Sequence, residues 1–275
     1  MRVVSFNVNG IRARQHQLAA LAESNPGIVG FQETKVVDAE FPVGNLTELG
    51  YQPQWFGQKG HYGVALMSRI PPRAVHKGFP GDDAKAQKRM IIGAYALADG
   101  RTLKVLNGYF PQGESRNHPE KFPNKQKFYA DLTRYLKEHC DPSEPLLVIG
   151  DMNIARVDGD IGIGADNAKR WLRTGKASFL PEEREWMETL LAWGLTDTYR
   201  HLYPEVDDRF SWFDYRSKGF DREPKRGLRI DLILATAPMM DVLGDAGIDY
   251  ALRGMEKPSD HCPVWADFEV ALAGD

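Results

Sequence analysis

The chain has 275 residues, of which 42% are hydrophobic and 27% are charged, and its net charge is −3 at pH 7. This composition is typical of a globular protein, and it excludes a disordered chain and one that binds nucleic acid by bulk positive charge. The two cysteines exclude a disulfide framework and a thiolate zinc site, and no segment approaches the roughly 18 apolar residues of a membrane span. We therefore expect one globular domain in the cytoplasm, away from any membrane.

Apolar runs rich in β-branched residues, many bounded by Gly, Pro, Asn or Asp, predict strands along the whole chain. In chain order, the predicted strands are residues 3–8, 28–32, 64–68, 90–96, 104–109, 146–149, 228–235 and 263–268. Helical periodicity predicts helices over residues 15–23, 125–139 and 182–193. Strands outnumber helices and are irregularly spaced, which indicates an α/β protein of two packed sheets with helices outside, not a regular βαβ repeat.

Polar side chains recur where the predicted strands end. The set comprises Asn7, Glu33, Tyr109, Asp151, Asn153, Asp231, Asp260 and His261. Asp and Asn after a strand are usually turn formers, so each of them taken alone is better explained as structural. By the same reasoning, Glu33 would be a surface carboxylate and Tyr109 a packing residue of a sheet.

Asp231 is harder to explain as structural, because it lies within an apolar run and the burial of an unpaired charge is costly. It needs a partner, and we predict His261, since a carboxylate fixes the tautomer of an imidazole and supports its cationic form. The remaining carboxylates, in a chain with few histidines, predict a hard cation such as Mg²⁺ with oxygen ligands, and zinc is disfavoured.

Local basic clusters occur despite the negative net charge. They comprise Lys85, Lys88 and Arg89; Lys121, Lys125 and Lys127; Lys169, Arg170, Arg173 and Lys176; and Arg216, Lys218, Arg222, Lys225, Arg226 and Arg229. Each cluster alone is better explained as a solvated face. Together with interleaved aromatic residues they are more informative than any one cluster alone, and residues 218–226 are predicted to form a mobile basic loop.

Six short motifs resemble, in order, the signatures of the endonuclease/exonuclease/phosphatase superfamily. They are residues 5–10 (SFNVNG), 32–35 (QETK), 107–114 (NGYFPQGE), 150–153 (GDMN), 229–232 (RIDL) and 259–261 (SDH). Longer strings at 57–66, 171–186 and 209–220 resemble its abasic-site endonuclease branch. The resemblance covers residues 1–268, which implies a single domain over that range and a C-terminal tail over residues 269–275.

The resemblance implies a four-layer α/β sandwich of two packed mixed sheets flanked by helices, with the site at one rim of the sheets. The residues it places at a Mg²⁺ ion, for which Mn²⁺ would substitute, are Glu33, Asn7, Asp260, Asp151 and Asn153. The catalytic residues it implies are Asp151, His261, Tyr109, Asn153 and Asp231. Either Asp151 or His261 would be the general base.

The activity implied by the resemblance is hydrolysis of double-stranded DNA by a monomer, at abasic sites and at 3′ ends. The residues matching a pocket for a sugar without its base are Trp212, Phe213, Leu228 and Ile230, and further DNA contacts are implied for Arg89, Gln112 and Lys218. An apolar slot suits such a sugar, because an intact nucleotide would overfill it.

Two rival interpretations stay open at this point. A phosphatase of the same superfamily acting on inositol phosphates or lipids would share the metal and water machinery. A damage-binding module would hold abasic DNA without cutting it. The aromatic residues 210–215 and the basic loop favour DNA over the first rival, and competent residues at every catalytic position favour an enzyme over the second.

Overall fold

Twelve strands, eight α-helices and four short 3-10 helices make up the regular structure of residues 1–274, the part of the chain that this computed structural model describes. The strands are β1 (Arg2–Asn7), β2 (Ile28–Gln32), β3 (Gln52–Phe56), β4 (Val64–Ser68), β5 (Ala74–Lys77), β6 (Met90–Ala96), β7 (Thr102–Tyr109), β8 (Leu146–Asp151), β9 (Thr196–Asp197), β10 (Asp231–Ala235), β11 (Leu243–Ile248) and β12 (Val264–Phe268). The helices are α1 (Gln15–Glu23), α2 (Val43–Glu48), α3 (Lys121–His139), α4 (Ala165–Thr174), α5 (Pro181–Leu191), α6 (Thr198–Leu202), α7 (Ala237–Met240) and α8 (Tyr250–Arg253). Among residues 1–274, no helix combines the length and the apolarity needed to cross a membrane.

The strands form two six-stranded mixed sheets. The order is β11-β12-β1-β2-β4-β3 in the first sheet and β5-β6-β7-β8-β10-β9 in the second. Each sheet contains one parallel pair, β1 with β2 and β7 with β8. Because parallel neighbours end at the same edge of a sheet, each sheet brings two strand ends to a common rim.

Three apolar layers separate the sheets and the helices. Alternation along β1 places Val3 between the two sheets and Val4 on the side of the first sheet that packs against α1 and α2. The outer face of the second sheet buries Leu106 and Val148 against Leu132 of α3 and Leu190 of α5. The predicted four-layer sandwich of two mixed sheets flanked by helices is therefore confirmed.

Most of the predicted elements are present, and β2, β4, β6 and α1 have the predicted bounds. The strand predicted over residues 228–235 begins only at Asp231, because Leu228 forms isolated bridges with Ile161 and Trp212 instead of a continuous ladder. Strands β3, β5, β9 and β11 were not predicted. Their sequences explain why, since β3 contains Pro53, β5 is largely exposed, β9 has two residues and β11 contains two glycines.

The segment after Phe268 packs along the hairpin of β6 and β7. Leu272 is 1% exposed and forms a bridge with Leu97. Asp275, the last residue of the predicted tail, lies outside the described residues. The division of the chain at residue 268 stays a prediction.

A buried ionic cluster forms around Arg229, which lies two residues before β10 begins. Arg229 is 1% exposed; its Nε donates to Asp160 Oδ1 at 2.7 Å and its Nη2 to Asp197 Oδ2 at 2.6 Å. Arg200 Nη2 also donates to Asp160 Oδ1, at 2.5 Å. The cluster ties the loop before α4 and the start of α6 to the strand that carries Asp231. Breaking such a buried pair is costly because it leaves a charge uncompensated.

We expect Asp160→Ala to lower the free energy of unfolding by about 3 to 5 kcal/mol, because it removes a buried partner of Arg229. Asp158→Ala is the matched control, since Asp158 pairs with Arg184 nearby but its side chain is 95% exposed. Exposed pairs contribute little, so the control should be close to wild type. Urea unfolding of both variants measures the difference, and equal stability of the two would contradict the importance of the cluster.

Candidate active site

A cavity of about 530 Å³ opens at the rim where β2, β7 and β8 end. Its polar lining includes Glu33, Tyr109, Gln112, Asp151, Asn153, Asp260 and His261. Asn7, the last residue of β1, is fully buried at the same rim and contacts Glu33 and Asp151. Asp231 lies directly behind His261. The structure thus brings together the side chains that the sequence placed at a metal and at the reaction.

Asp151 is the last residue of β8 and is 1% exposed. Asn7 Nδ2 donates to its Oδ2 at 2.9 Å, and the backbone N of Asn153 donates to its Oδ1 at 3.1 Å. Burial raises the pKa of Asp151; the charge of His261 opposes this and that of Asp231 adds to it, so the pKa lies above the ordinary value of an aspartate. A carboxylate with a raised pKa is a better proton acceptor near neutral pH.

The predicted pairing of Asp231 with His261 is present in the structure. His261 Nδ1 lies 2.8 Å from Asp231 Oδ2, and its Nε2 lies 3.8 Å from Asp151 Oδ2. Burial lowers the pKa of His261, but the charges of Asp231 and Asp151 outweigh it, and the net shift is upward. The imidazole is therefore cationic at neutral pH, with one nitrogen held by Asp231 and the other near Asp151.

Glu33 follows β2 with a left-handed φ of +51°. Its Oε2 lies 2.8 Å from Lys35 Nζ, and Asn7 Nδ2 donates to its Oε1 at 3.4 Å. Burial raises the pKa of Glu33, but Lys35 and the hydroxyl of Tyr109 outweigh burial, so the pKa is lowered and the side chain is ionised. Lys35 had no role in the sequence analysis, and its place in the motif of Glu33 was the only signal for it.

Arg89 supports Tyr109 from below the cavity. Its guanidinium carbon lies 4.6 Å from the centre of the Tyr109 ring and 4.2 Å from that of Tyr62, and its Nη1 donates to the Tyr109 carbonyl at 3.0 Å. Arg89 is 8% exposed and does not line the cavity, and its direct contact with DNA stays a prediction. Burial and the charge of Glu33 raise the pKa of Tyr109, which keeps its hydroxyl protonated.

Asp260 holds Trp212 at the cavity. Trp212 Nε1 donates to Asp260 Oδ2 at 3.0 Å, and Asn9 Nδ2 donates to Asp260 Oδ1 at 2.8 Å. Each carboxylate oxygen can accept a further bond from water or a metal. Asp260 therefore combines a position among the predicted metal ligands with a role in orienting an aromatic side chain.

An apolar wall continues from Trp212 along one side of the cavity. It comprises Ile163, Trp171, Trp212, Leu228 and Ile230. Phe213 was predicted to belong to this wall, and that prediction is wrong. Phe213 is fully buried among Phe210, Cys262 and Phe220, because consecutive residues of an extended segment point to opposite sides.

Five arginine and lysine side chains line the same cavity: Arg170, Lys176, Arg216, Arg222 and Arg226. Gln112 also lines it, whereas Lys218 is exposed and lies outside the lining. Two members of the predicted basic clusters are not available to DNA, because Lys125 is fully buried and Arg229 is 1% exposed. Sequence reasoning assigned no role to Ser178 or Asn167, which line the cavity without a motif that would single them out.

The oxygen donors of the cavity fit a hard divalent cation. The Nδ2 of Asn7 contacts the carboxylates of both Glu33 and Asp151, so the two acids converge on one point. One ligand atom each of Asp151, Asp231 and His261 lies within 4.8 Å of the others, but the hydrogen bond between Asp231 and His261 already commits Nδ1. Glu33 and Asp151 therefore suit a metal ion better than the Asp231–His261 pair does.

Residues 4–261 match the Endonuclease/Exonuclease/phosphatase family. The chain is 54% identical to Exodeoxyribonuclease III of Haemophilus influenzae over 98% of this chain and 100% of that protein. It is similar to a solved 3′ phosphatase from Neisseria bound to a product DNA hairpin, with a TM-score of 0.88 and 35% identity over 98% of this chain and 99% of the other. An AP endonuclease from Archaeoglobus fulgidus gives a TM-score of 0.88 at 32% identity, with coverage of 98% and 99%.

We expect Asp231→Asn to lower the pKa of His261, because it removes the negative charge that favours the imidazolium. The imidazole resonances of His261, followed by NMR against pH in the metal-free protein, measure the change. Asp158→Asn is the control. The side chain of Asp158 is exposed and pairs with Arg184, so its substitution should leave the pKa of His261 unchanged. An unaltered titration of His261 in the Asp231 variant would contradict the assignment.

Proposed function

We propose an activity for this chain on the premise that it belongs to the endonuclease/exonuclease/phosphatase family. It cuts phosphodiester bonds 5′ to abasic sites in double-stranded DNA, and it removes nucleotides or blocking groups from 3′ ends. The chain is a DNA repair nuclease and a phosphodiester hydrolase. The names exodeoxyribonuclease, 3′ phosphatase and AP endonuclease among its relatives support these activities. The observation that carries the proposal is one cavity where Glu33, Asp151 and His261 meet beside an apolar wall.

The apolar wall supports abasic DNA as the substrate. Trp212, Leu228 and Ile230 offer aromatic and aliphatic surface at the cavity that holds the acidic groups. Such a surface suits the ring of a sugar that has lost its base, and a base-less sugar also leaves the duplex stack at a lower cost than an intact nucleotide. The arginine and lysine side chains of the lining would then bind the phosphates on either side of the sugar.

The nuclease depends on a metal ion, and the ion we propose is Mg²⁺, with Mn²⁺ as a substitute. Glu33 would hold it, with Asn7, Asp151, Asn153 and Asp260 supplying further oxygen atoms or holding its water. When bound, the ion supplies positive charge that neutralises the scissile phosphate and the leaving 3′ oxygen.

Asp151 is proposed to accept a proton from the attacking water, which Asn153 helps to orient. His261, kept cationic by Asp231, stabilises the negative charge that develops on the phosphoryl oxygens. The hydroxyl of Tyr109 donates to the phosphate. The opposite assignment makes His261 the base and requires a neutral imidazole, which the upward shift of its pKa disfavours.

We also propose that the nuclease works as a monomer in the cytoplasm. Cys140 and Cys262 are both free thiols, in agreement with a reducing compartment.

With Mg²⁺ present, we expect a duplex that carries one abasic site to be cut to a 3′ hydroxyl and a 5′ sugar-phosphate, and a chelator to abolish the cut. Asp151→Asn should reduce the single-turnover rate by about 10²- to 10⁴-fold, the range found for a positioned base or electrostatic group. Gel separation of labelled strands measures both effects.

Asp158→Asn is the control for the Asp151 variant, because its exposed carboxylate lies outside the cavity lining. An Asp151→Asn enzyme that cuts at the wild-type rate would refute the role of Asp151. Tight binding of the abasic duplex without any cut in Mg²⁺ would instead favour a damage-binding module, and release of phosphate from a soluble inositol phosphate would favour a phosphatase.

We expect Arg226→Gln to weaken DNA binding and to reduce the slope of log Kd against log salt by about 1, because a cavity-lining arginine that contacts a phosphate releases one counterion. Arg101→Gln is the control. Arg101 pairs with Asp99 just before β7 begins, at the end opposite Tyr109. Fluorescence anisotropy with a labelled duplex at several salt concentrations gives the slopes, and identical slopes for the two variants would count against the proposed footprint.

A further inference from the structure

Lys125 and Glu183 form an ion pair that is closed to solvent. Lys125 Nζ lies 2.5 Å from Glu183 Oε1, and neither side chain has exposed surface. Lys125 belongs to α3 and Glu183 to the first turn of α5. Well-packed apolar side chains would join two helices as firmly, because the desolvation of a buried pair often cancels its attraction. Joining the helices is therefore not a sufficient explanation of the pair.

The other hydrogen bonds of Lys125 lead to the active site. Its Nζ donates to the carbonyl of Asn153 at 2.8 Å and to that of Gln112 at 3.2 Å. Both residues line the cavity. An ammonium has three protons to donate, so Glu183 and the two carbonyls use all of them.

Asn153 has a conformation that needs such support. Its φ of +53° is left-handed. Asparagine tolerates this region better than most residues, but contacts on both sides of the peptide are still needed to fix the direction of its carbonyl. Its backbone N donates to Asp151 Oδ1 at 3.1 Å, and its Nδ2 donates to the carbonyl of Phe110 at 2.9 Å. A shift of the Asn153 backbone would therefore also disturb the carboxylate that is proposed to activate water.

Glu183 extends the same support to a further segment of the cavity. Its Oε2 accepts hydrogen bonds from the backbone N of Ser178 and of Leu180, both at 2.8 Å. Ala155 N in turn donates to the Ser178 carbonyl at 2.7 Å. One ion pair thus fixes three stretches of backbone around the cavity, at residues 112, 153–155 and 178–180.

We propose that Lys125 is a positioning residue of this nuclease, which holds the backbone of Asn153 and Gln112 so that Asn153 and Asp151 face the scissile phosphate. The inference rests on the proposed function. Lys125 does not line the cavity. It acts through two carbonyl groups, those of Asn153 and Gln112, and it contacts Asn153 at the backbone and not at the side chain proposed to face the metal ion.

The test uses the double variant Lys125→Met/Glu183→Gln. Methionine matches the length of lysine, and the amide oxygen of glutamine can still accept from Ser178 and Leu180, so no buried charge is left unpaired. We expect a lower melting temperature than that of wild type, because the carbonyls of Asn153 and Gln112 lose their donor, but a folded protein with DNA affinity within a few-fold. Single-turnover cleavage should be slower by about 10- to 100-fold, because small displacements of reacting groups are costly. Lys125→Met alone should be less stable than the double variant. Should the double variant not fold, Lys125→Arg, which keeps the charge but moves the donors, takes its place.

Arg156→Met/Glu188→Gln is the matched control. Arg156 Nη1 lies 3.0 Å from Glu188 Oε1. This pair joins the loop that carries Asn153 to helix α5, which also carries Glu183, but the side chain of Glu188 is 59% exposed. Its loss should leave cleavage at the wild-type rate, since it does not hold the carbonyl of Asn153.

A double-mutant cycle separates positioning from general structural support. The effects of Lys125→Met/Glu183→Gln and of Asn153→Ala on turnover should be less than additive, because both act through Asn153. Hydrogen exchange at the amides of Asn153 and Ala155 should be faster in the Lys125 variant and unchanged in the Arg156 control.

Wild-type turnover in the double variant, additive effects in the cycle, or unchanged exchange at the two amides would each overturn the positioning role. If the wild-type protein cuts no abasic duplex, the proposed function fails, and the exchange measurement still decides whether Lys125 holds Asn153.

Discussion

Hydrogen bonds of Asn107 fix how the two sheets lie against each other, and the site depends on that placement. Asn107 is buried on β7 and donates from Nδ2 to the carbonyl of Phe31, on β2 of the other sheet, at 3.0 Å. Gln32 Nε2 donates back to Asn107 Oδ1 at 2.6 Å. Sliding one sheet over the other would leave these buried amides without partners, which costs free energy. Glu33 and Tyr109 follow directly along the same two strands, so their separation across the rim is set by this contact.

The rim holds more buried negative charge than its own cations balance. Glu33, Asp151 and Asp231 lie close together, while Lys35 and His261 are the cations that contact them. Such crowding raises the cost of keeping every carboxylate ionised, and it is relieved when a divalent cation is bound. The excess of negative charge therefore explains why the site suits a metal ion. The arginine and lysine side chains of the cavity lining attract the phosphate of a substrate, which would otherwise be repelled by the carboxylates.

Apolar runs bounded by turn residues were sufficient to predict β2, β4 and β6, because these strands are buried on both faces and carry few polar interruptions. The pairing of Asp231 with His261 followed from the same logic, since a carboxylate inside such a run needs a partner. The burial of Lys125 and Arg229 could not be predicted, because their partners lie 58 and 69 residues away in the chain. The sequence also could not show which way the side chain of Phe213 points. Trp212 and Phe213 are adjacent aromatic residues, and only the structure shows that Trp212 faces the cavity.

Strand β12 lies between β1 and β11, so the last strand of the described chain is inserted into the interior of the first sheet. Asp260 and His261 directly precede this strand, and they reach the rim only when it pairs with β1. During synthesis on the ribosome, β1 keeps an open edge and the cavity lacks its imidazole until these residues have emerged. A chain without these residues lacks the imidazole of the site and leaves one edge of β1 unpaired, and an unpaired strand edge favours aggregation.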